Sequence, residues 1–435
     1  MRFRAALVVA VLMALPAAGA VRHRPVVRTE PTPPPDVFSA AELADVRTRH
    51  LTLDLEIDFD ARRLRGSATH AILNLTGTDR LVLDTRDLEI IAVTVDGHPA
   101  TWSLGTASPA GRALRIPIAP STRSVRIDYE TRGENAGLQF FEPLQTDGDV
   151  APFFFTFGEP DRTREWIPVQ DTPGARMTYE ATIRVPPGLV ALMSARNATT
   201  SSPHGVYRFE MPLPVPPYLI ALAAGRVAFH PLSTRTGIWA EPERLADAAH
   251  DLSYIPAMLL VAEAMIGPYP YERYDVILLP AGFSAGGMEN PMLNFINVAS
   301  VVRGNGEAPP VPHRLIAHEL AHSWAGDTVT CATWSDLWLN EGFASYYTNR
   351  IMEVMRGADH GDHGFYLDRS SFEEYAASTT DDAREVLHRE LGSRDDRRIF
   401  TPTVYSKGSI FLKMLEDRMG RPAFDGFARS WFLRY

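Results

Sequence analysis

Two histidines and a glutamate occur together in His318-Glu319-Leu320-Ala321-His322. Histidines four positions apart lie on one face of a helix, so both imidazoles can reach one metal ion. The intervening Glu319 can hydrogen-bond a water on that metal and act as a general base. Taken alone, the pattern also fits two ordinary histidines on a core helix. The motif therefore suggests a hydrolytic metal site without proving one.

A third ligand is needed, because catalytic zinc binds three side chains and keeps one position open. Glu341 is the candidate. Eighteen residues separate it from His322, which is enough for one helix to end and a second to return antiparallel. Trp338, Leu339 and Phe343 predict a buried face on this second helix, where an acid needs a partner. A metal ion would be that partner.

The pairing of this motif with Asn340-Glu341-Gly342 resembles peptidase family M1, the gluzincin family that includes aminopeptidase N and leukotriene hydrolase. The resemblance covers about residues 45–435. Three further stretches are similar to family motifs: Gly286-Gly287-Met288-Glu289-Asn290, Tyr405-Ser406-Lys407-Gly408, and residues 156–173 with Glu159. The family usually adds a large helical C-terminal domain after the point where this sequence ends. We therefore expect either a natural short form or a truncated sequence.

The resemblance implies a zinc aminopeptidase that binds one Zn²⁺ per chain through His318, His322 and Glu341. Glu319 would take a proton from the zinc-bound water and later return it to the leaving amine. Tyr405 would donate its phenol hydrogen to the developing oxyanion.

An enzyme that removes N-terminal residues must recognise a free ammonium group, and carboxylates do this best. Glu289 and Glu159 are the candidates, one from each domain. Gly286 and Gly287 permit a peptide backbone to approach closely, and by resemblance Met288 lines the first side-chain pocket. The expected partners are therefore peptides with a free N-terminus.

Two alternative functions stay open. The same site could serve an endopeptidase or an epoxide hydrolase, although the paired acids favour an ammonium group. The other alternative is a catalytically inactive interaction module, against which the complete set of ligands, base and tyrosine argues. The sequence indicates neither the preferred N-terminal residue nor the oligomeric state.

These residues must be positioned by strands and helices, and the pattern of apolar residues predicts an α+β protein of several domains. Apolar and polar residues alternate strictly over 51–59, which is typical of a half-buried strand, and similar runs recur through 45–230. We therefore expect an N-terminal domain of antiparallel sheets over 45–230, saddle-like by resemblance. From residue 231 the period becomes helical, and we expect a thermolysin-like, mostly α-helical catalytic domain over 231–435.

Several helices of the second domain can be placed from the sequence. We expect a helix over 243–266 with a kink at Pro256, and another that begins near His313 and carries the metal motif. A third should follow Asp336 as its N-cap and end before Gly357, and residues 357–363, with His360 and His363, should form a polar loop. Two more are expected over 406–420 and 424–432.

The N-terminus is typical of an exported protein. Arg2 and Arg4 precede a short apolar run, and Ala18-Gly19-Ala20 is a cleavage pattern, so residues 1–20 are predicted to be a signal peptide. An uncleaved anchor is the alternative. Proline-rich residues 21–44 predict a tether. We expect a periplasmic or extracellular protein with no stable membrane span after cleavage.

Composition excludes some classes. The 435 residues contain 43 Lys+Arg and 53 Asp+Glu, a net charge of −10, which argues against a nucleic-acid-binding protein. The single cysteine excludes an internal disulfide framework and a cysteine-rich metal site. Any zinc here must therefore be bound by histidine and carboxylate.

Overall fold

A computed structural model describes residues 32–108, 110–300, 313–379, 385–391 and 399–435. Residues 33–435 belong to one compact unit. The predicted signal peptide at 1–20 lies outside the described residues. Within them, every helix is too short or too polar to cross a lipid bilayer.

Strands dominate the first half of the chain. They are β1 (Val46–Asp58), β2 (Arg63–Asn74), β3 (Arg80–Thr85), β4 (Leu88–Val95), β5 (His98–Pro99), β6 (Ser103–Leu104), β7 (Arg112–Pro117), β8 (Ser124–Thr131), β9 (Leu138–Phe141), β10 (Phe153–Thr156), β11 (Met177–Arg184), β12 (Val190–Met193), β13 (Val206–Val215) and β14 (Leu222–Gly225). Five more follow: β15 (Ala228–Pro231), β16 (Thr236–Ala240), β17 (Tyr274–Leu279), β18 (Gly287–Met288) and β19 (Asn294–Asn297).

Helices dominate the second half. They are α1 (Pro242–Asp251), α2 (Ile255–Met265), α3 (His313–Ala321), α4 (Trp338–Arg356), α5 (Ala358–Ser378), α6 (Gly408–Met419) and α7 (Arg421–Arg434). A β-rich N-terminal part followed by a mainly helical part confirms the predicted fold class.

The largest sheet in the described residues has seven strands in the order β13-β11-β1-β2-β8-β4-β5. In β1 the apolar residues Leu51, Leu53 and Leu55 are at most 1% exposed, whereas the polar residues between them are partly exposed. This alternation gives the sheet one core face and one wet face, as the sequence predicted.

One strand pair differs from the predicted antiparallel arrangement. β1 and β11 run parallel, with Leu51 paired to Tyr179 and Leu55 to Ile183. Parallel pairing needs a long crossover connection, and residues 59–176 supply it with strands of their own. Apolar alternation reports which face of a strand is buried, but it does not report the direction of the neighbouring strand.

A four-stranded sheet in the order β12-β14-β10-β9 positions the segment that contains the predicted site residue Glu159. Strand β10 is buried throughout, and the chain leaves it directly into residues 157–165. Arg164 anchors that segment: its side chain is fully buried, and its Nε lies 2.8 Å from Asp171 Oδ2. The segment is therefore held by the core of the β-rich part.

A five-stranded sheet in the order β15-β16-β17-β19-β18 supports the helical part. Its inner strand β17 is fully buried, with every residue from Tyr274 to Leu279 inside the core. The short strand β18 lies at the edge and pairs with β19 on one side only. An edge strand leaves backbone groups free for another extended chain.

Three helix predictions need correction. The expected kinked helix is two helices, because the chain turns over residues 252–254 and Pro256 lies in the first turn of α2, where its missing N–H is not needed. Asp336 lies in a short 3₁₀ turn, and Leu337 is the N-cap of α4. Residues 403–407 form a π-helical turn before α6.

The predicted polar loop with His360 and His363 is wrong, because these residues lie in α5. The glycines of α5 allow this helix to approach α4 closely. A Cβ on Gly361 would lie 2.8 Å from the Cβ of Glu353 in α4, and one on Gly364 would lie 2.1 Å from Oδ1 of Asn349 in α4. Tertiary packing therefore overrides the low helix propensity of glycine.

The tether prediction also fails for its last residues. Phe38 is completely buried and Leu43 is 7% exposed. Ser39 donates a hydrogen bond to Asp84, and the Ala40 amide donates another at 2.8 Å. Residues 38–43 therefore pack on the β-rich part, because two apolar side chains lie among the polar ones.

Candidate metal centre and active site

The three predicted zinc ligands meet at one point. The Nε2 atoms of His318 and His322 are 3.1 Å apart, and Glu341 Oε2 lies 3.2 Å from His318 Nε2 and 3.3 Å from His322 Nε2. The histidines come from α3 and its C-terminal end, and the glutamate comes from the first turn of α4. Two helices that pack together thus present three donor atoms in a triangle.

The triangle has the size that zinc requires. Donor atoms about 2.0–2.1 Å from a tetrahedral zinc ion lie about 3.3 Å from one another, which matches the distances just given. The set of two imidazoles and one carboxylate is a catalytic zinc set, with a fourth position left for water or substrate. The residues present therefore fit the metal.

Neighbouring groups orient the ring of His322 and keep Glu341 ionised. His322 Nδ1 lies 2.8 Å from the Ala325 carbonyl and donates its hydrogen there, so Nε2 is the nitrogen that points toward His318 and Glu341. Burial alone would raise the pKa of Glu341. The charge on His322 and the hydrogen bonds from both histidines outweigh burial and lower the pKa to about 2. Glu341 is therefore a carboxylate at neutral pH.

Glu319 lies in the same cavity and is 4% exposed. Its carboxylate passes against strand β18: a Cβ on Gly287 would lie 2.3 Å from Glu319 Oε1. Burial raises the pKa of Glu319 well above its usual value, which brings a carboxyl group closer to the range of a general base or acid. Gly287 thus makes room for the predicted base.

Tyr405 lies in the π-helical turn at 403–407. Its ring centroid is 6.0 Å from that of His318, and it lines the cavity. Burial raises the pKa of its phenol well above the usual value. The phenol therefore stays protonated and can donate a hydrogen bond.

Two glycines allow a close contact between α4 and α6. A Cβ on Gly342 would lie 2.9 Å from the Cα of Gly408, and one on Gly408 would lie 2.8 Å from the Cα of Gly342. The start of α4, which carries Glu341, therefore touches the start of α6, which follows Tyr405. The contact therefore helps to position the predicted metal ligand Glu341 relative to the phenol of Tyr405.

Glu159 and Glu289 come from different parts of the chain and line the same cavity. They are 7% and 4% exposed, and the Oε1 atom of each has no hydrogen-bond partner among the described residues. Burial raises both pKa values, and the charge of Glu289 raises that of Glu159 further. Each of these buried carboxyl groups therefore has an oxygen in the cavity that could accept a hydrogen bond from a ligand.

The cavity has a volume of about 320 Å³. Besides the residues above, the described residues that line it are Phe157, Pro160, Arg162, Ser284, Ala285 and Phe400. Gly287 lines it, whereas Gly286 and Met288 are absent from the described lining. Met288 is 2% exposed and packs in the hydrophobic core, so its role in a side-chain pocket stays a prediction.

Sequence reasoning missed a residue that supports Glu289. Tyr218 follows β13; burial raises the pKa of Glu289, and the side-chain hydrogen bond from Tyr218 offsets part of that rise. Asn340 Nδ2 donates to the Tyr218 hydroxyl at 3.3 Å, and Asn340 Oδ1 accepts from the Cys331 amide at 3.0 Å. The sequence contains no signal for this link, since Tyr218 lies far from every motif.

Two models of known domain families match the chain. The Peptidase M1 N-terminal domain model matches residues 47–219, and the Peptidase family M1 domain model matches residues 253–435. The second match contains the ligand triangle, Glu319 and Tyr405. The first contains Glu159.

Individual relatives cover nearly the whole chain. Leucine aminopeptidase 2-1 of Meyerozyma guilliermondii is 31% identical over 413 residues, which are 93% of this chain and 66% of the relative. Leukotriene A-4 hydrolase of Xenopus laevis is 34% identical over 414 residues, which are 91% of this chain and 66% of the relative. The chain thus spans slightly less than two thirds of the length of these relatives.

A solved structure of yeast LTA4 hydrolase in complex with bestatin superposes with a TM-score of 0.87 at 29% identity. The match covers 94% of this chain and 65% of that one. The β-rich part and the helical part are therefore arranged as in that protein.

Proposed function

The chain belongs to peptidase family M1, and from that premise we propose that it is a zinc metalloaminopeptidase that hydrolyses the N-terminal peptide bond of peptides. The observation that carries the proposal is the pair Glu159 and Glu289. Each has a buried carboxyl oxygen with no hydrogen-bond partner in the part of the chain that the structure describes, and both line the cavity that contains the ligand triangle. A substrate ammonium group would satisfy both.

The chain's own residues supply most of the chemistry. When bound, zinc supplies Lewis acidity, which polarises a carbonyl and lowers the pKa of water. Glu289 and Glu159 bind the substrate ammonium and so set how far the peptide enters. Glu319 accepts a proton from the attacking water and delivers it to the leaving amine. Tyr405 donates a hydrogen bond to the oxygen on which negative charge develops.

Strand β18 offers a second way to hold the peptide with its N-terminus in the cavity. Its outer edge is unpaired in the described residues, and Gly287 lines the cavity. An extended peptide could add to this edge by backbone hydrogen bonds. The scissile carbonyl would then lie between the edge strand and Tyr405.

An endopeptidase or an epoxide hydrolase on the same site is the alternative. Burial of two carboxyl groups is costly without a cation, and neither alternative substrate brings one. The amine-binding pair therefore favours the aminopeptidase.

Pairs of substrates that differ only at the amine test the proposal. We expect Leu-p-nitroanilide to be cleaved with a kcat/KM at least 100-fold above that of its N-acetylated form, and a chelator to abolish cleavage. Efficient cleavage of acetylated peptides, or hydrolysis that survives metal removal, would show the proposal to be wrong.

A further inference from the structure

The cavity contains a positive charge that the proposed reaction does not use. Arg162 lines it, and its guanidinium carbon lies 5.6 Å from the centre of the Phe157 ring. Its Nε is buried without a hydrogen-bond partner in the described part of the chain. None of the ion pairs among the described residues includes Arg162, so the charge of a residue that lines the cavity is available to a ligand there.

The acidic residues next to Arg162 in the sequence form ion pairs with other arginines. Asp161 and Glu165 bind Arg86, at oxygen-to-nitrogen distances of 3.2 and 2.6 Å. The following arginine, Arg164, is fully buried and binds Asp171 at 2.8 Å. The local ion pairs are thus complete without Arg162. Within the described ranges, Arg162 is therefore left without a carboxylate partner although three acidic residues lie close to it in the sequence.

The walls of the cavity carry charged side chains of both signs. Glu159 and Glu289 offer negative charge to an ammonium group, and Arg162 offers positive charge in the same chamber. A partly dehydrated guanidinium gains most from a carboxylate, which it binds through two parallel hydrogen bonds. A ligand that carries both an ammonium and a carboxylate therefore matches this cavity better than a neutral amide.

We propose that Arg162 binds a carboxylate of the peptide substrate. The inference rests on the proposed aminopeptidase function and names its substrate class. The carboxylate has two possible sources: an acidic side chain on the N-terminal residue, or the C-terminus of a short peptide. A volume of about 320 Å³ is at the lower end for small-molecule sites, which suits peptides of few residues.

Two substrate pairs separate these sources. The tripeptide Leu-Gly-Gly and its C-terminal amide differ only in the terminal carboxylate, and Glu-p-nitroanilide and Gln-p-nitroanilide differ only in the side-chain charge. Arg162→Met removes the charge but keeps an apolar stem over Phe157, and Arg162→Lys keeps a charge without the bidentate geometry. Arg132→Met is the matched control, because Arg132 is 66% exposed and lies on strand-connecting chain outside the cavity.

The measured quantity is the ratio of kcat/KM for the charged member of each pair to that for the neutral member. We expect Arg162→Met to lower one of these ratios at least 10-fold, Arg162→Lys to restore part of it, and Arg132→Met to leave both as in the unmodified protein. The pair whose ratio falls identifies the source. Ratios within twofold of the unmodified protein in both pairs would overturn the inference.

A binding measurement keeps this result separate from the proposed function. Leu-p-nitroanilide has no carboxylate, so failure of the unmodified protein to cleave it counts against the aminopeptidase and not against Arg162. Calorimetric titration of zinc-loaded Glu319→Gln protein with the two tripeptides then measures selectivity without turnover. We expect tighter binding of the free acid only when Arg162 is present. Equal selectivity with and without Arg162 would overturn the inference.

Discussion

Glu319 shows how one carboxyl group is given a chemical task. It is one residue from His318, yet its carboxylate turns toward β18 and takes no part in the ligand triangle. Burial raises its pKa, whereas the histidines lower the pKa of Glu341. Two glutamates in one cavity therefore differ in role because their neighbours differ.

Glu319→Gln tests the base. The amide keeps the size of the side chain but cannot accept a proton, so we expect kcat to fall about 100- to 10,000-fold while zinc binding persists. Steady-state kinetics and metal analysis by mass spectrometry check the two parts. Loss of zinc together with activity would instead assign Glu319 to metal binding.

Tyr405→Phe tests the oxyanion donor. Removal of one hydrogen bond that is made mainly in the transition state should lower kcat about 10- to 1,000-fold with a smaller change in KM. Kinetics on Leu-p-nitroanilide provide the measurement. An equal rise in KM with unchanged kcat would show that the phenol only binds the ground state.

The helices α4 and α6 approach each other because both contribute glycine at the contact. Gly342 follows the predicted metal ligand Glu341, and Gly408 comes three residues after Tyr405. Each lacks the Cβ that would lie within 3 Å of the other's backbone. The element that carries the ligand and the element that carries the phenol are thus set by one contact.

Gly408→Ala should force these elements apart. Because the clash is with backbone, we expect a loss of about 1–3 kcal/mol in the free energy of unfolding and a fall in kcat as Tyr405 moves. Urea unfolding and kinetics measure the two effects. Gly426→Ala is the control: it lies in α7 with nothing within 4 Å of a new Cβ, and we expect it to stabilise by about 0.5–1 kcal/mol. A Gly408→Ala protein as stable and active as the unmodified one would contradict this account.

Sequence patterns predicted elements better than their contacts. The spacing of the metal motif predicted that His318, His322 and Glu341 meet, and alternation predicted β1. Neither could predict that Gly361 and Gly364 allow a helix, because that depends on the surface of α4. Arg162 was missed for a similar reason. That it has no carboxylate partner among the described residues depends on the fold, because Arg86 forms ion pairs with the nearby acids Asp161 and Glu165.

At the scale of the whole molecule, the site is assembled from both halves of the chain. Arg176, just before β11, donates to the Asp327 carbonyl at 2.7 Å and to Thr330. The β-rich part supplies Glu159 and Tyr218, and the helical part supplies the ligand triangle. The substrate ammonium would therefore bridge the two parts of the fold.

Metal removal should destabilise the whole protein, because the triangle joins α3 to α4. A ligand present at 1,000 times its dissociation constant stabilises a fold by about 4 kcal/mol, so we expect a chelator to lower Tm by several degrees and zinc to restore it. Calorimetric melting measures the change. The matched control is Glu341→Gln, whose Tm should respond much less to the chelator. An equal response in both proteins would contradict the proposed site.

The parallel pairing of β1 with β11 has a consequence for synthesis. His50 hydrogen-bonds Thr178, 128 positions later, so the second edge of β1 cannot be covered until that much more chain has emerged. At about 5–20 residues per second, a ribosome needs roughly 6–26 seconds to supply it. During that interval the backbone N–H and C=O groups along this edge of β1 are unpaired and can pair with another nascent chain. The parallel pairing therefore gives intermolecular strand pairing a window of several seconds during synthesis, before β11 can cover this edge.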